Sequence, residues 1–265
     1  MTTTLAEVFA RTSAEGRAAL VGYLPAGFPT PAASVELIAA MVAGGVDIVE
    51  VGLPYSDPLM DGAAIQEAVD LALRAGTTTD VVLDVVGEVA TTDAATLVMS
   101  YWNPIERYGV ERFADRMADA GGTGIITPDL TPEEAGPWIA ATDRRHLDRI
   151  FLVAPSSTDE RISTVCRSTS GFVYAASTMG VTGARTTVSS AAPTLVARTR
   201  ALTSLPISVG LGVSTGEQAH DVAQYADGVI VGSAFVRRIL DAADHGSAVA
   251  AVRELAEELA VGVRR

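Results

Sequence analysis

The chain contains no lysine: all nineteen of its basic residues are arginine. That excludes a Schiff base between a lysine and a carbonyl substrate, and it excludes pyridoxal phosphate anchored by this chain. The single cysteine, Cys166, cannot form an internal disulfide; it falls in an expected helix and reads as a small buried residue rather than a nucleophile. The three histidines, His146, His220 and His245, are scattered in polar, helix-like contexts without the spacing of a metal site, so solvated positions and no metal are expected. No apolar run approaches the roughly 20 residues of a membrane-spanning helix. The start, Met1-Thr2-Thr3-Thr4-Leu5-Ala6-Glu7, lacks a basic region followed by an apolar one, and a soluble, cytoplasmic protein without a secretory signal is the expectation. With 32 acidic groups against 19 basic ones the net charge is -13, which argues against nucleic acid and anionic membrane as partners. An anionic ligand would have to be met locally, by backbone N–H groups or an arginine.

What the chain does have is length and regularity. At 265 residues and 48% hydrophobic it can bury one large core, and a single domain over residues 1–265 is expected. Eight short apolar runs recur: Ala19–Leu24, Ile48–Leu53, Thr96–Tyr101, Gly124–Thr127, Ile150–Val153, Phe172–Ala175, Ile207–Leu211 and Gly228–Val231. Several are apolar at consecutive positions, as parallel strands covered by helices should be. Helical patterns separate them, among them Ala33–Ala43, Ala64–Ala75, Asp80–Ala90, Val110–Ala120, Pro132–Ala141 and Asp159–Arg167. Thr131-Pro132-Glu133-Glu134 reads as a helix start, with proline in the first turn and acids near the positive end of the dipole. Eight such units predict a (β/α)₈ TIM barrel, with extra helices at the N-terminus (Leu5–Ala10) and the C-terminus (Phe235–Ala242, Ser247–Leu259). A doubly wound open sheet fits less well, because no Gly-x-Gly-x-x-Gly turn follows the first run.

Within the second run, Glu50 interrupts an otherwise apolar strand, and Asp61 follows eleven residues later in the loop leaving it. A carboxylate taken out of water must be compensated, or its pKa rises. Two carboxylates in different environments are one way a site divides the work of acid and base. The bland alternatives are that Glu50 pairs with a buried arginine or ends up solvated at a strand end. Active sites of barrels lie at the C-terminal ends of the strands. There the sixth run is followed by the long, glycine-rich Ser177–Arg185, the seventh by Gly210-Leu211-Gly212-Val213-Ser214, and the eighth by Gly232-Ser233-Ala234. Either of the last two alone is an ordinary tight turn with a helix cap. Together they suit a phosphate cradle, since glycine admits close backbone approach and helix N-termini favour anions.

Val49-Glu50-Val51-Gly52-Leu53-Pro54-Tyr55-Ser56-Asp57-Pro58-Leu59-Met60-Asp61-Gly62 closely resembles the signature of the tryptophan synthase alpha chain family. Tyr174-Ala175-Ala176-Ser177 with Gly180-Val181-Thr182-Gly183, Ser100-Tyr101-Trp102-Asn103-Pro104 and Pro128-Asp129-Leu130 follow in family order. The resemblance covers nearly the whole chain. It implies a lyase of tryptophan biosynthesis that cleaves indole-3-glycerol phosphate to indole and glyceraldehyde 3-phosphate. It implies Glu50 as the acid/base residue, Asp61 as the carboxylate that binds the indole N–H and balances ring charge, and Tyr174 as the group orienting Glu50. Thr182 would close toward Asp61. Gly183, Gly212, Val213, Gly232 and Ser233 would hold the phosphate, and Tyr23 and Leu211 the indole. It implies no cofactor in this chain, with pyridoxal phosphate in a partner beta chain, and an alpha2beta2 assembly that docks near Pro54, Asp57, Asn103 and Asp129. Leu211 stands where many members carry an aromatic residue, and Thr131 where proline is common. The chemistry fits the residues: without lysine, the carbon–carbon bond beside the hydroxyl can break if the indole, protonated at C3, serves as its own electron sink. A stand-alone lyase without a beta chain, a catalytically silent partner barrel and an unrelated phosphate-binding isomerase remain as alternatives.

Overall fold

The computed structural model describes residues 2–176, 191–210 and 212–264. Nine strands form one sheet: β1 (Ala19–Pro25), β2 (Ile48–Gly52), β3 (Ala95–Met99), β4 (Gly124–Ile126), β5 (Asp148–Ile150), β6 (Leu152–Val153), β7 (Val173–Ala176), β8 (Ile207–Gly210) and β9 (Gly228–Val231). Every strand pairing is parallel, in the order β5-β4-β3-β2-β1-β9-β8-β7-β6. The two ends of that order, β5 and β6, are separated in sequence by Phe151 alone, whose carbonyl accepts a hydrogen bond from the Tyr174 N–H. The sheet therefore closes on itself. The fifth apolar run is one barrel station split in two, so the strand count rises to nine while the eight expected stations stand.

Helices lie between the strands: α1 (Leu5–Ala14), α2 (Pro31–Ala43), α3 (Ala63–Arg74), α4 (Thr79–Val89), α5 (Trp102–Tyr108), α6 (Val110–Asp119), α7 (Gly136–Arg145), α8 (Asp159–Ser168), α9 (Ala191–Arg200), α10 (Gly216–Ala223), α11 (Ser233–Leu240) and α12 (His245–Gly262). The N- and C-terminal helices are present as expected. Side-chain alternation along the strands sorts the core into two parts. Val49 and Val51 face the helices and join the outer cluster with Leu37, Phe113, Trp138 and Phe235. Ile48 faces inward and joins Val21, Leu97, Ile126, Ile150, Phe172 and Ile230. Glu50 shares the inward face with Ile48 by the same alternation. Helix α1, started by a Thr4–Glu7 capping box, sets Leu5, Val8 and Phe9 against that inner cluster and closes the N-terminal end of the barrel. Each such burial contributes roughly 1.5–3 kcal/mol.

Two local expectations need correction. Thr131–Glu134 is a turn rather than a helix start, closed by the Glu134 N–H on the Thr131 carbonyl at 3.0 Å, with Glu133 held by Arg161. The helix begins at Gly136, and its first-turn proline is Pro137 instead of Pro132. Helix α5 was not expected at all. It is seven residues long and ends at Gly109, whose φ of 102° suits glycine. Cys166 is buried in α8, and the three histidines are exposed, as expected.

Candidate active site

The C-terminal ends of the strands bring the expected acid–base pair to one mouth. Glu50 is 1% exposed, and its Oε1 has no hydrogen-bond partner among the described residues. Burial alone raises its carboxyl to about 8. Among the described residues neither bland alternative holds: no arginine pairs with it, and it is not solvated. Asp61, on the loop between β2 and α3, is only partly buried. Burial raises its pKa, and the hydrogen bond from Tyr101 opposes that. The two carboxyls thus sit in unlike surroundings.

Three tyrosines surround them. Tyr23, on β1 beside Glu50 in register, is buried, and burial, then the Asp61 and Glu50 carboxylates, push its phenol up. Tyr174, on β7, is raised by burial and by Glu50. Both rings lie over glycine: a Cβ on Gly52 would meet the Tyr23 ring, and one on Gly210 would meet that of Tyr174. Those two glycines are site-shaping positions that periodicity alone did not reveal. The third tyrosine, Tyr101, just beyond β3, donates its O–H to Asp61 Oδ1 at 3.0 Å. The sequence reading placed it in a motif without giving it a role. The only available signal was a polar aromatic at a strand's C-terminal end.

The two phosphate-type loops differ. After β8, Gly212 has φ 71° and Val213 is buried, but the first turn of α10 is already used. The Gly216 N–H goes to Glu258, the Gln218 N–H to Thr215, and the Ser214 N–H to Gln218 Oε1. After β9, α11 opens at Gly232 with no side-chain cap, and Ser233 is 9% exposed. A cavity of about 360 Å³ is lined by Gly62, Ser214, Ser233, Arg237 and Arg238 among others, so it joins the start of α3 to that open helix end. Thr182, Gly183 and Leu211, with the rest of the sixth loop, lie outside the described residues. Among the described residues no group of three or more histidine, cysteine, aspartate or glutamate side chains could hold a metal ion. No helix among them is long and apolar enough to cross a membrane.

A family model for the tryptophan synthase alpha chain matches residues 9–264. The chain belongs to the tryptophan synthase alpha chain family. It is 62% identical to the tryptophan synthase alpha chain of Thermobifida fusca, over 99% of this chain and 98% of that one. It is 60% identical to that of Acidothermus cellulolyticus, again over 99% and 98%. Among solved structures, one of Mycobacterium tuberculosis tryptophan synthase matches with a TM-score of 0.93 and 51% identity, covering all of both chains. As a member of that family it is a lyase of tryptophan biosynthesis that cleaves indole-3-glycerol phosphate. In general the family needs no cofactor of its own.

Proposed function

We propose that Glu50 carries both proton transfers of this cleavage and that Asp61 balances the charge they create. The observation that carries the reading is the buried Glu50 carboxyl at the barrel mouth, whose Oε1 has no partner among the described residues. With a pKa of about 8 it holds its proton near neutrality and starts as an acid. It gives that proton to the indole C3, and the ring becomes cationic. Glu50, now a carboxylate, takes the proton of the adjacent glycerol hydroxyl. The O–H pair forms the aldehyde C=O, the carbon–carbon pair returns to the ring, and indole and glyceraldehyde 3-phosphate separate. Glu50 ends protonated, as it began, so no net proton is consumed. Asp61 accepts the indole N–H and stabilises the cation in between. Tyr174 orients Glu50, and Tyr23 packs against the indole.

The phosphate sits on the backbone of Gly212–Val213 and Gly232–Ser233, with the uncapped N-terminus of α11 supplying N–H groups. Thr182, Gly183 and Leu211 keep their expected parts in closing the site, holding phosphate and lining the indole pocket. The barrel works as one unit over its full length, in the cytoplasm. Its partner is a beta chain in an alpha2beta2 assembly, docking over Pro54, Asp57, Asn103 and Asp129. Support comes from the solved Mycobacterium tuberculosis relative, a structure of tryptophan synthase rather than of an alpha chain alone. Pyridoxal phosphate belongs to that partner, because this chain has no lysine to hold it.

The test follows indole release while a beta chain is titrated into the purified protein. The wild-type rate should rise to a plateau, and Asp61→Asn should stay at least about 10²-fold below it throughout. Full activity of Asp61→Asn would remove Asp61 from the mechanism. A high rate unmoved by the beta chain would favour a stand-alone lyase.

A further inference from the structure

The Tyr101 hydroxyl is saturated. It accepts the backbone N–H groups of Leu59 at 3.1 Å and Met60 at 2.9 Å, and it donates to Asp61 Oδ1 at 3.0 Å. A phenol oxygen has two lone pairs and one proton. With both lone pairs occupied by N–H groups, the proton is committed to Asp61 and the carboxylate must be the acceptor. We propose that Tyr101 is the positioning residue for Asp61, fixing the loop and the carboxylate that faces the indole with one hydroxyl. The proposal rests on the reading of Asp61 given above.

Tyr101 is itself held. It is 6% exposed, and its ring packs 5.5 Å from that of Tyr55, centroid to centroid. It stands at the N-cap position of α5, without a side-chain cap, and the N–H of the next residue, Trp102, donates to Asp129 Oδ1 at 2.9 Å. Asp129 lies beyond β4, so the chain at Tyr101–Trp102 is tied to the loops after both β2 and β4. Among the described residues, the groups facing Asp61 are Tyr101 from beyond β3 and Tyr23 on β1, with Glu50 on β2 acting on the same Tyr23 phenol. No arginine pairs with Asp61 among them. Within that set the Tyr101 hydroxyl is the group that offsets the burial of this carboxylate. A further anchor, Gln66 Nε2 on the Asp61 carbonyl at 2.7 Å, holds the backbone and does not touch the carboxylate.

Tyr101→Phe keeps the ring and its packing and removes only the hydroxyl. The expected result is a fall in kcat of about 10- to 100-fold, from loss of a hydrogen bond to a charged group, with KM moved less than about threefold. The acid limb of the kcat/KM profile should also move to higher pH, because Asp61 loses the bond that favours its charged form. Placing 3-fluorotyrosine at position 101, with a more acidic phenol and the same shape, should move that limb to lower pH; this arm stands even if Tyr101→Phe fails to fold. A wild-type kcat and an unmoved acid limb in Tyr101→Phe would overturn the proposal. So would a loss of kcat that only tracks a lower Tm while the limb stays in place, because that is what a structural role gives. If Asp61→Asn is inactive and Tyr101→Phe is unaffected, positioning fails and the proposed function stands. If Asp61→Asn is fully active, both fall together.

Discussion

Asp47 and Glu50 are two carboxylates three residues apart on one stretch of chain, and both are almost fully buried, at 4% and 1% exposure. Their fates are opposite. Asp47, at the N-terminal end of the barrel, is enclosed. Arg17 meets it through both terminal nitrogens at 2.6 and 2.8 Å, Arg11 at 3.0 Å, and the Leu20 N–H at 2.9 Å. Glu50, nearer the mouth, has an oxygen with no partner among the described residues and a carboxyl raised to about 8. Burial is common to both, so burial alone does not single out the proposed acid–base residue. The absence of a partner among the described residues does. Asp47 has its oxygens taken up by Arg11, Arg17 and the Leu20 N–H, whereas an acid without partners has an oxygen open to exchange a proton with a substrate.

Exchanging the two behaviours by mutation tests the contrast. The largest effect is expected at Glu50. Glu50→Gln should lower kcat by about 10² to 10⁴-fold, because the amide keeps the shape and loses the transferable proton. Its Tm should be unchanged or higher, since a desolvated acid has been removed; a lower Tm with near-normal kcat would invert the assignment. Asp47→Asn should do the reverse. It removes the charge that Arg11 and Arg17 share while Arg17 keeps Glu15 at 2.6 Å, so the loss is expected at about 1.5–3 kcal/mol, that of a hydrogen bond to a charged group. Urea unfolding should show that loss, while kcat of the folded protein stays within about twofold of wild type.

The smallest effect is a slope. The folded pKa of Glu50 is raised, to about 8 from 4.5, so the folded state keeps a proton that the unfolded chain has released. The contribution of Glu50 is fully present below about pH 4.5 and is lost as pH rises toward 8, at up to about 1.4 kcal/mol per pH unit. Unfolding free energies measured across that window should fall more steeply with pH for wild type than for Glu50→Gln. Equal slopes would mean that Glu50 is ionised in the folded protein.

Glu50 was legible in the sequence because it broke an apolar run; Asp47, at the edge of the same run, drew no notice. Its cage depends on Arg11 and Arg17, thirty or more residues earlier, which only the closed barrel brings near. The eight stations were legible because buried parallel strands are apolar throughout. The break at Phe151 was not, since nothing in the Ile150–Val153 run marks an interruption. Helix α5 was hidden because its first N–H is satisfied by Asp129, 27 residues away, instead of by a local cap. The turn at Thr131 shows the converse: proline followed by two acids satisfied every local rule for a helix start, and the pull of Arg161 on Glu133 belongs to a contact 28 residues away. For Tyr101 the motif was visible and the role was not, because that role consists of contacts with a loop some forty residues earlier.

The floor that α1 lays under the barrel gives the site the topology of a cup. Leu5, Val8 and Phe9 leave no way through the inner cluster below Glu50. Whatever enters at the rim leaves at the rim, so substrate and both products share a single doorway. The order of traffic through that doorway is then set by whatever stands in it, and a protein seated there would receive the departing indole before bulk water does.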